Sequence, residues 1–276
     1  MSEYTELTAA DAYCRLLASR HYENFSIASR LLPARLRRDL ARVYAYCRFT
    51  DDLGDESGSM ARTRLARWRS EVVELFEGGP PVHPVLVALR DTVEGHGLHG
   101  QPFLDLIQAN MQDQEVTSYE TWPALHSYCM LSAAPVGRIV LHLFGLADPA
   151  AERLSEDVCV GLQLANFAQD VSWDDVRGRR YLLTPELEAG GTAGAVRAHC
   201  ERARQLLASG EQLEKLATGM LRLQLALYRL GGQAILDSIE RAGFETDRVR
   251  PRVSMAAKAA LVLRVGGGHV RSLGTV

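Results

Sequence analysis

The chain has 276 residues, 47% of them hydrophobic and 24% charged, with 31 Lys+Arg against 34 Asp+Glu for a net charge of −3. That balance is enough for a sizeable core and excludes a disordered, collagen-like or low-complexity chain. Near-neutrality argues against a nucleic-acid binder, and five scattered cysteines with no CxxC pair argue against a disulfide framework or a zinc site.

Helical periodicity dominates and strand-like alternation is nearly absent. In chain order the spacing predicts helices at 7–19, 35–54, 60–77, 84–95, 102–112, 119–146, 150–176, 193–218, 220–242 and 252–265. The first residues carry acids and no apolar run, so no signal peptide is expected. The most apolar stretch, Ile139 to Ala147, is broken by His142 and is far short of the roughly 20 residues a membrane span needs. Pro33, Pro84, Pro102, Pro123, Pro149, Pro185 and Pro251 fall near predicted helix starts or in connections. Pro135 is expected to kink the 119–146 segment. Gly78-Gly79-Pro80-Pro81 reads as a loop, and residues 266–276, with few apolar anchors, as a flexible end. The expectation is one all-α domain over residues 1–276, in a cytoplasmic protein.

Two acidic ladders stand out. In the first, Tyr44, Arg48, Asp51 and Asp55 fall within an arc of about 60° on a helix. In the second, Gln163, Asn166, Asp170 and Asp174 fall within about 80°. Like charges at i,i+4 cost a helix a few tenths of a kcal/mol, and Gly54 weakens the first further, so the repeats call for an offset. Divalent cations supply one. Mg²⁺ takes oxygen ligands, commonly one or two carboxylates, and completes its shell with water and substrate phosphate. Two facing ladders would hold several Mg²⁺ ions around a diphosphate, with Asp51, Asp55, Asp170 and Asp174 as ligands. Asp52, Glu56 and Asp175 point off the stripes and are assigned solvated or supporting roles. The Arg30, Arg35, Arg37, Arg38 and Arg42 cluster reads as a solvated helix face, with contact to an anionic lipid surface as the alternative.

These residues resemble the squalene/phytoene synthase family. The resemblance rests on residues 44–56, on Tyr128-Cys129 with Val136-Gly137, on Leu162-Gln163-Leu164 with Asn166, Asp170-Val171 and Asp174, and on Arg177-Gly178-Arg179 with Tyr181. It runs from His21 to about Lys258. Within the family, His21 to Phe25 followed by Leu31-Leu32-Pro33, and Asn166 to Asp170, resemble the hydroxysqualene synthase branch. Branches that condense two diphosphates tend to carry Arg where this chain has Gln169. Ala134 and Arg180 depart from the branch pattern and bear on substrate fit.

The resemblance implies an all-α isoprenoid synthase bundle with a central cavity. It also implies a substrate, presqualene diphosphate or farnesyl diphosphate, and Mg²⁺ without NADPH. For the leading branch the reaction is ionisation of presqualene diphosphate, rearrangement and water capture to hydroxysqualene. The alternatives are a head-to-head condensing enzyme of the family, or a non-catalytic relative acting in assembly or lipid binding. Tyr128, Arg48 and Asn166 are the expected catalytic residues. Phe25, Tyr44, Arg48, Gln163, Asn166, Arg177, Arg179 and Tyr181 are expected to bind substrate, and Phe25, Leu40, Val136, Leu164 and Phe167 to wall off a dry cavity. A peripheral membrane contact and a homodimer complete the expectations, with no nucleic-acid partner.

Overall fold

The structure, a computed structural model, describes residues 3–20 and 32–273, with side chains for residues 6–18 and 32–265. His21, Phe25 and Arg30 lie outside the described residues. Among the described residues the secondary structure is helical, with one 3-10 turn at Gly58–Met60, one isolated parallel bridge between Tyr119 and Leu183 and no strand. The chain divides into two compact units, Met1–Glu115 with Arg138–Gly145, and Val116–Gly137 with Leu146–Val276.

The first unit contains α1 (Glu3–Arg20), α2 (Ala34–Asp55), α3 (Ala61–Phe76), α4 (Pro84–His96) and α5 (Gln101–Gln112). Proline starts α4, and the His83 ring accepts the Val85 N–H at 3.3 Å in place of the usual Ser or Asp cap. Tyr46 is buried on α2, stacks near Trp68, meets Phe103 edge-on and donates its hydroxyl to the Phe103 carbonyl at 2.8 Å. Trp68 in turn donates to Thr50 at 3.0 Å, so α3 and α5 are fixed against the helix that carries the first ladder.

Arg42 corrects the surface-cluster reading. It is only 1% exposed and donates to Asp11 at 2.7 and 3.1 Å, to Asp91 at 2.5 Å and to Asp39 at 3.3 Å, joining α1, α2 and α4. A fully charged side chain is buried here because its donors are matched by carboxylates.

The second unit contains α6 (Trp122–Ser132), the start of α7 (Ala134–Leu143), α8 (Pro149–Gln169), α9 (Val171–Val176), α10 (Thr184–Ala208), α11 (Gly210–Leu216), α12 (Gly219–Arg241) and α13 (Met255–Leu273). Thr121 caps α6 by accepting from Ala124, and Asp148 caps α8 by accepting from Ala151 at 2.9 Å, each beside a proline in the first turn. The predicted 119–146 helix is interrupted at Ala133, two residues before Pro135, because proline lacks the N–H donor and its ring clashes with the carbonyl four residues earlier, so Pro135 is accommodated in the first turn of a new helix.

Three boundaries differ from the sequence reading. The predicted 150–176 helix breaks at Asp170, whose φ of −104° and ψ of 17° leave the helical region. The predicted 193–218 helix starts earlier, bends at Gly191 (φ 62°, ψ −171°) and ends at Ala208 before α11. That backbone conformation is open only to glycine. The last helix runs on to Leu273, where residues from 266 were read as a loose end; glycine costs a helix about 1 kcal/mol per residue and does not forbid it.

Candidate active site

The first ladder lies along the last three turns of α2. Arg48 forms an ion pair with Asp52 at 2.6 Å, and its Nε is buried without a hydrogen-bond partner. Asp52, read from sequence as off the stripe, is therefore the group that holds Arg48. Solvent reaches the Asp51 side chain, although protein crowds it closely. Burial pushes its carboxyl up to about 7, opposed by a hydrogen bond from Asn110 and reinforced by Asp55. A divalent cation acts in the opposite sense, because it favours the ionised form. Asn110 donates at 3.1 Å to Asp51 and also to the Leu106 carbonyl. Its close approach depends on Gly54, since a Cβ there would lie 2.6 Å from Asn110 Oδ1. Asp55 closes α2 in an exposed position, and Tyr44 is half-buried two turns earlier than Asp51.

The second ladder spans the α8–α9 break. Asn166 is exposed and Gln163 half-buried on α8, while Asp174 is half-buried on α9. Asp170 sits at the break and accepts a two-pronged hydrogen bond from Arg250, from Nε to Oδ1 and from Nη2 to Oδ2 at 3.1 Å. Asp174 and Arg179 line a cavity of about 290 Å³ together with Phe167, Val171, Arg180 and Tyr181. Arg177 turns away from it: its guanidinium stands 5.8 Å from the Trp173 ring centre and donates to the Trp173 carbonyl.

One wall of that cavity is aromatic. Phe167 and Tyr181 stack at 4.0 Å between ring centres and 9° between planes. Tyr128 lies beside Tyr181 at 5.4 Å with their hydroxyls 3.4 Å apart, both residues being buried. Backbone bonds from Arg180 to Thr117 and from Thr184 to Tyr119 strap the 180–184 segment in place. From behind, a His199 ring nitrogen lies 3.1 Å from the Tyr181 carbonyl, and His199 and Arg202 both engage Glu186. Among the expected wall residues Phe167 joins this stack, Leu164 is packed into the helical core, and Leu40 and Val136 are half-buried.

Residues 18–257 match the squalene/phytoene synthase family. The chain belongs to that family. It is 39% identical to the squalene synthase HpnC from Alicyclobacillus acidocaldarius, with a TM-score of 0.80 over 87% of this chain and 96% of that one. A dehydrosqualene synthase structure shares the fold at a TM-score of 0.86 and 23% identity, covering 98% of this chain and all of the other. The phytoene synthase of Arthrospira platensis is 32% identical over 66% of this chain, which covers 64% of that relative's length, a little under two thirds. The family is one of isoprenoid synthases that use prenyl diphosphates, and its enzymes typically use divalent metal ions.

The donor types present suit a divalent cation. Among the described residues no group of three His, Cys, Asp or Glu side chains is arranged to hold a metal alone. Each ladder instead offers paired carboxylates, the donor set that Mg²⁺ completes with water and phosphate oxygens. The buried, unpartnered Arg48 Nε adds a donor suited to a phosphate oxygen.

Sequence reasoning missed Asn110 and Arg250. Asn110 had a signal: it is the polar member of the buried stripe Phe103, Leu106, Ile107 and Asn110 on α5. Arg250 had none, since it is one arginine of several in a connection 80 residues from its partner.

Proposed function

We propose that the chain ionises presqualene diphosphate, releases diphosphate and passes the rearranged cation to water, which is hydroxysqualene synthase chemistry. The observation that carries this reading is the environment of Gln169. Its neutral side chain is buried and donates to the Pro251 carbonyl at 2.6 Å, so a position that tends to carry arginine in the condensing branches adds no charge here. Similarity to the squalene synthase HpnC supports the squalene branch.

Magnesium bound through Asp51, Asp55, Asp170 and Asp174 would neutralise the charge that develops on the departing diphosphate. Arg48, held by Asp52, directs its free Nε to a phosphate oxygen, and Arg179 adds a second cationic donor beside Asp174. Asn166 and Gln163 extend the polar stripe for phosphate or metal-bound water. Phe167, Tyr128 and Tyr181 keep water off the rearranging cation and turn aromatic faces toward it. The paired Tyr128 and Tyr181 hydroxyls orient the one water that ends the sequence. Substrate contacts by Tyr44 and Phe25, peripheral membrane contact for an apolar product, and action of residues 1–276 as one catalytic domain belong to the same proposal.

A second reading, head-to-head condensation of two prenyl diphosphates, is favoured by the relatives named phytoene synthase. Purified protein with Mg²⁺ is incubated with farnesyl diphosphate or with presqualene diphosphate in labelled water, and products are identified by mass spectrometry. Labelled hydroxysqualene from presqualene diphosphate alone supports the first reading. Efficient diphosphate release from farnesyl diphosphate overturns it in favour of the second. Asp51→Ala or Asp170→Ala is expected to abolish turnover with the circular dichroism spectrum unchanged, and near-normal rates would contradict both readings.

A further inference from the structure

The end of α8 clasps a distant segment with two consecutive residues. Asp170 takes both prongs of the Arg250 guanidinium, and Gln169 donates to the carbonyl of the next residue, Pro251. Arg250 is also packed against Trp173, with its Cζ 5.5 Å from the ring centre. The clasped residues belong to the 249–254 connection that leads into α13.

The two arms differ in kind. The Gln169 arm is a hydrogen bond between neutral groups, which responds less to nearby charge than an ion pair does. The Arg250 arm is charge-assisted and uses lone pairs on both oxygens of a carboxylate assigned to a metal. A divalent cation on Asp170 competes for that carboxylate and repels the guanidinium beside it.

We propose that Arg250 is a built-in competitor for the cation at Asp170, and that Gln169 is the neutral anchor keeping the 249–254 segment on α8 when Arg250 lets go. Metal loading thereby displaces the guanidinium from Asp170 and loosens the entry to α13. Arg250 is a positioning residue in this scheme. The inference rests on the proposed role of Asp170 as a metal ligand.

The test uses the full chain and Mn²⁺ as probe, with affinity read by titration calorimetry or electron paramagnetic resonance. Hydrogen exchange is followed in peptides covering residues 247–258. Arg250→Gln is expected to bind Mn²⁺ about tenfold more tightly, the scale of one charge-assisted hydrogen bond. In the wild type, exchange at 250–256 is expected to quicken on adding Mn²⁺; in Arg250→Gln it is already fast and unchanged by metal. Gln169→Leu is expected to quicken exchange without metal while leaving Mn²⁺ affinity near the wild-type value. Equal or weaker Mn²⁺ binding by Arg250→Gln, with binding lost in Asp170→Asn, overturns the competition but leaves the metal reading standing. Undiminished binding by Asp170→Asn overturns both. The wild-type exchange measurement needs no variant, and slower exchange with Mn²⁺ also overturns the proposal.

Discussion

Asn110 shows how one amide can set the working state of a carboxylate. Its donation to Asp51 at 3.1 Å favours the ionised form against burial and against Asp55. Loss of a partner behind a metal ligand commonly costs 10–100-fold in affinity or activity. Asn110→Ala is therefore expected to weaken Mn²⁺ binding and turnover by about that factor, as read by calorimetry and steady-state kinetics. Glu186 makes a pH prediction with a definite sign. Burial raises its carboxyl, but hydrogen bonds from His199 and Arg202 outweigh that and hold it down at about 2. A carboxylate lowered in the folded state stabilises above its unfolded value, near 4.5, and loses that contribution as pH falls through about 2. Glu186→Gln should cost about 1–2 kcal/mol at pH 7, allowing for solvent screening. Chemical denaturation of both proteins should show the gap closing between pH 4.5 and 2.

Helices α1, α2 and α4 pack together and share one guanidinium. Arg42 is the shared partner of Asp11, Asp39 and Asp91, and removing it leaves Asp39, whose side chain is 3% exposed, with Thr92 at 3.1 Å and His96 at 3.0 Å as its close partners. Arg42→Ala is expected to destabilise the fold by about 3 kcal/mol in urea titrations, the scale of removing one partner from a buried ion-pair network. Most helices were legible because prolines and three-four spacing are local signals, and the observed ends of α2 to α5 fall within a residue or so of the pattern. The break at Asp170 was not, because Leu162, Leu164, Phe167 and Val171 continue an unbroken helical rhythm across it. The residues that meet Gln169 and Asp170 at the break lie about 80 positions on, outside any local window. The start of α10 was missed in the same way, since the bend that Gly191 provides gives no periodic signal.

At the scale of the whole molecule, the carboxylates were legible because i,i+4 repetition is costly without a ligand, whereas their supporting groups come from other helices. No described helix is long and apolar enough to cross a membrane. If the ladders bind Mg²⁺, the folded state gains about 2.7 kcal/mol at a hundredfold excess over Kd. For a chain of this size that is a rise in Tm of about 5 °C. Scanning calorimetry with Mg²⁺ and with EDTA should show it, and Asp170→Ala should reduce it. The interleaving of the two units also has a consequence for synthesis. The buried side chains of Ile139, Val140, Leu141 and Leu143 belong to the unit that otherwise ends at Glu115. At about 5–20 residues per second, ribosomes take roughly 2–6 s to make residues 116–145. Throughout that interval the nascent N-terminal unit carries an unfilled apolar seat. A fragment cut at residue 115 lacks those side chains and is expected to bind hydrophobic dyes more strongly than the full chain.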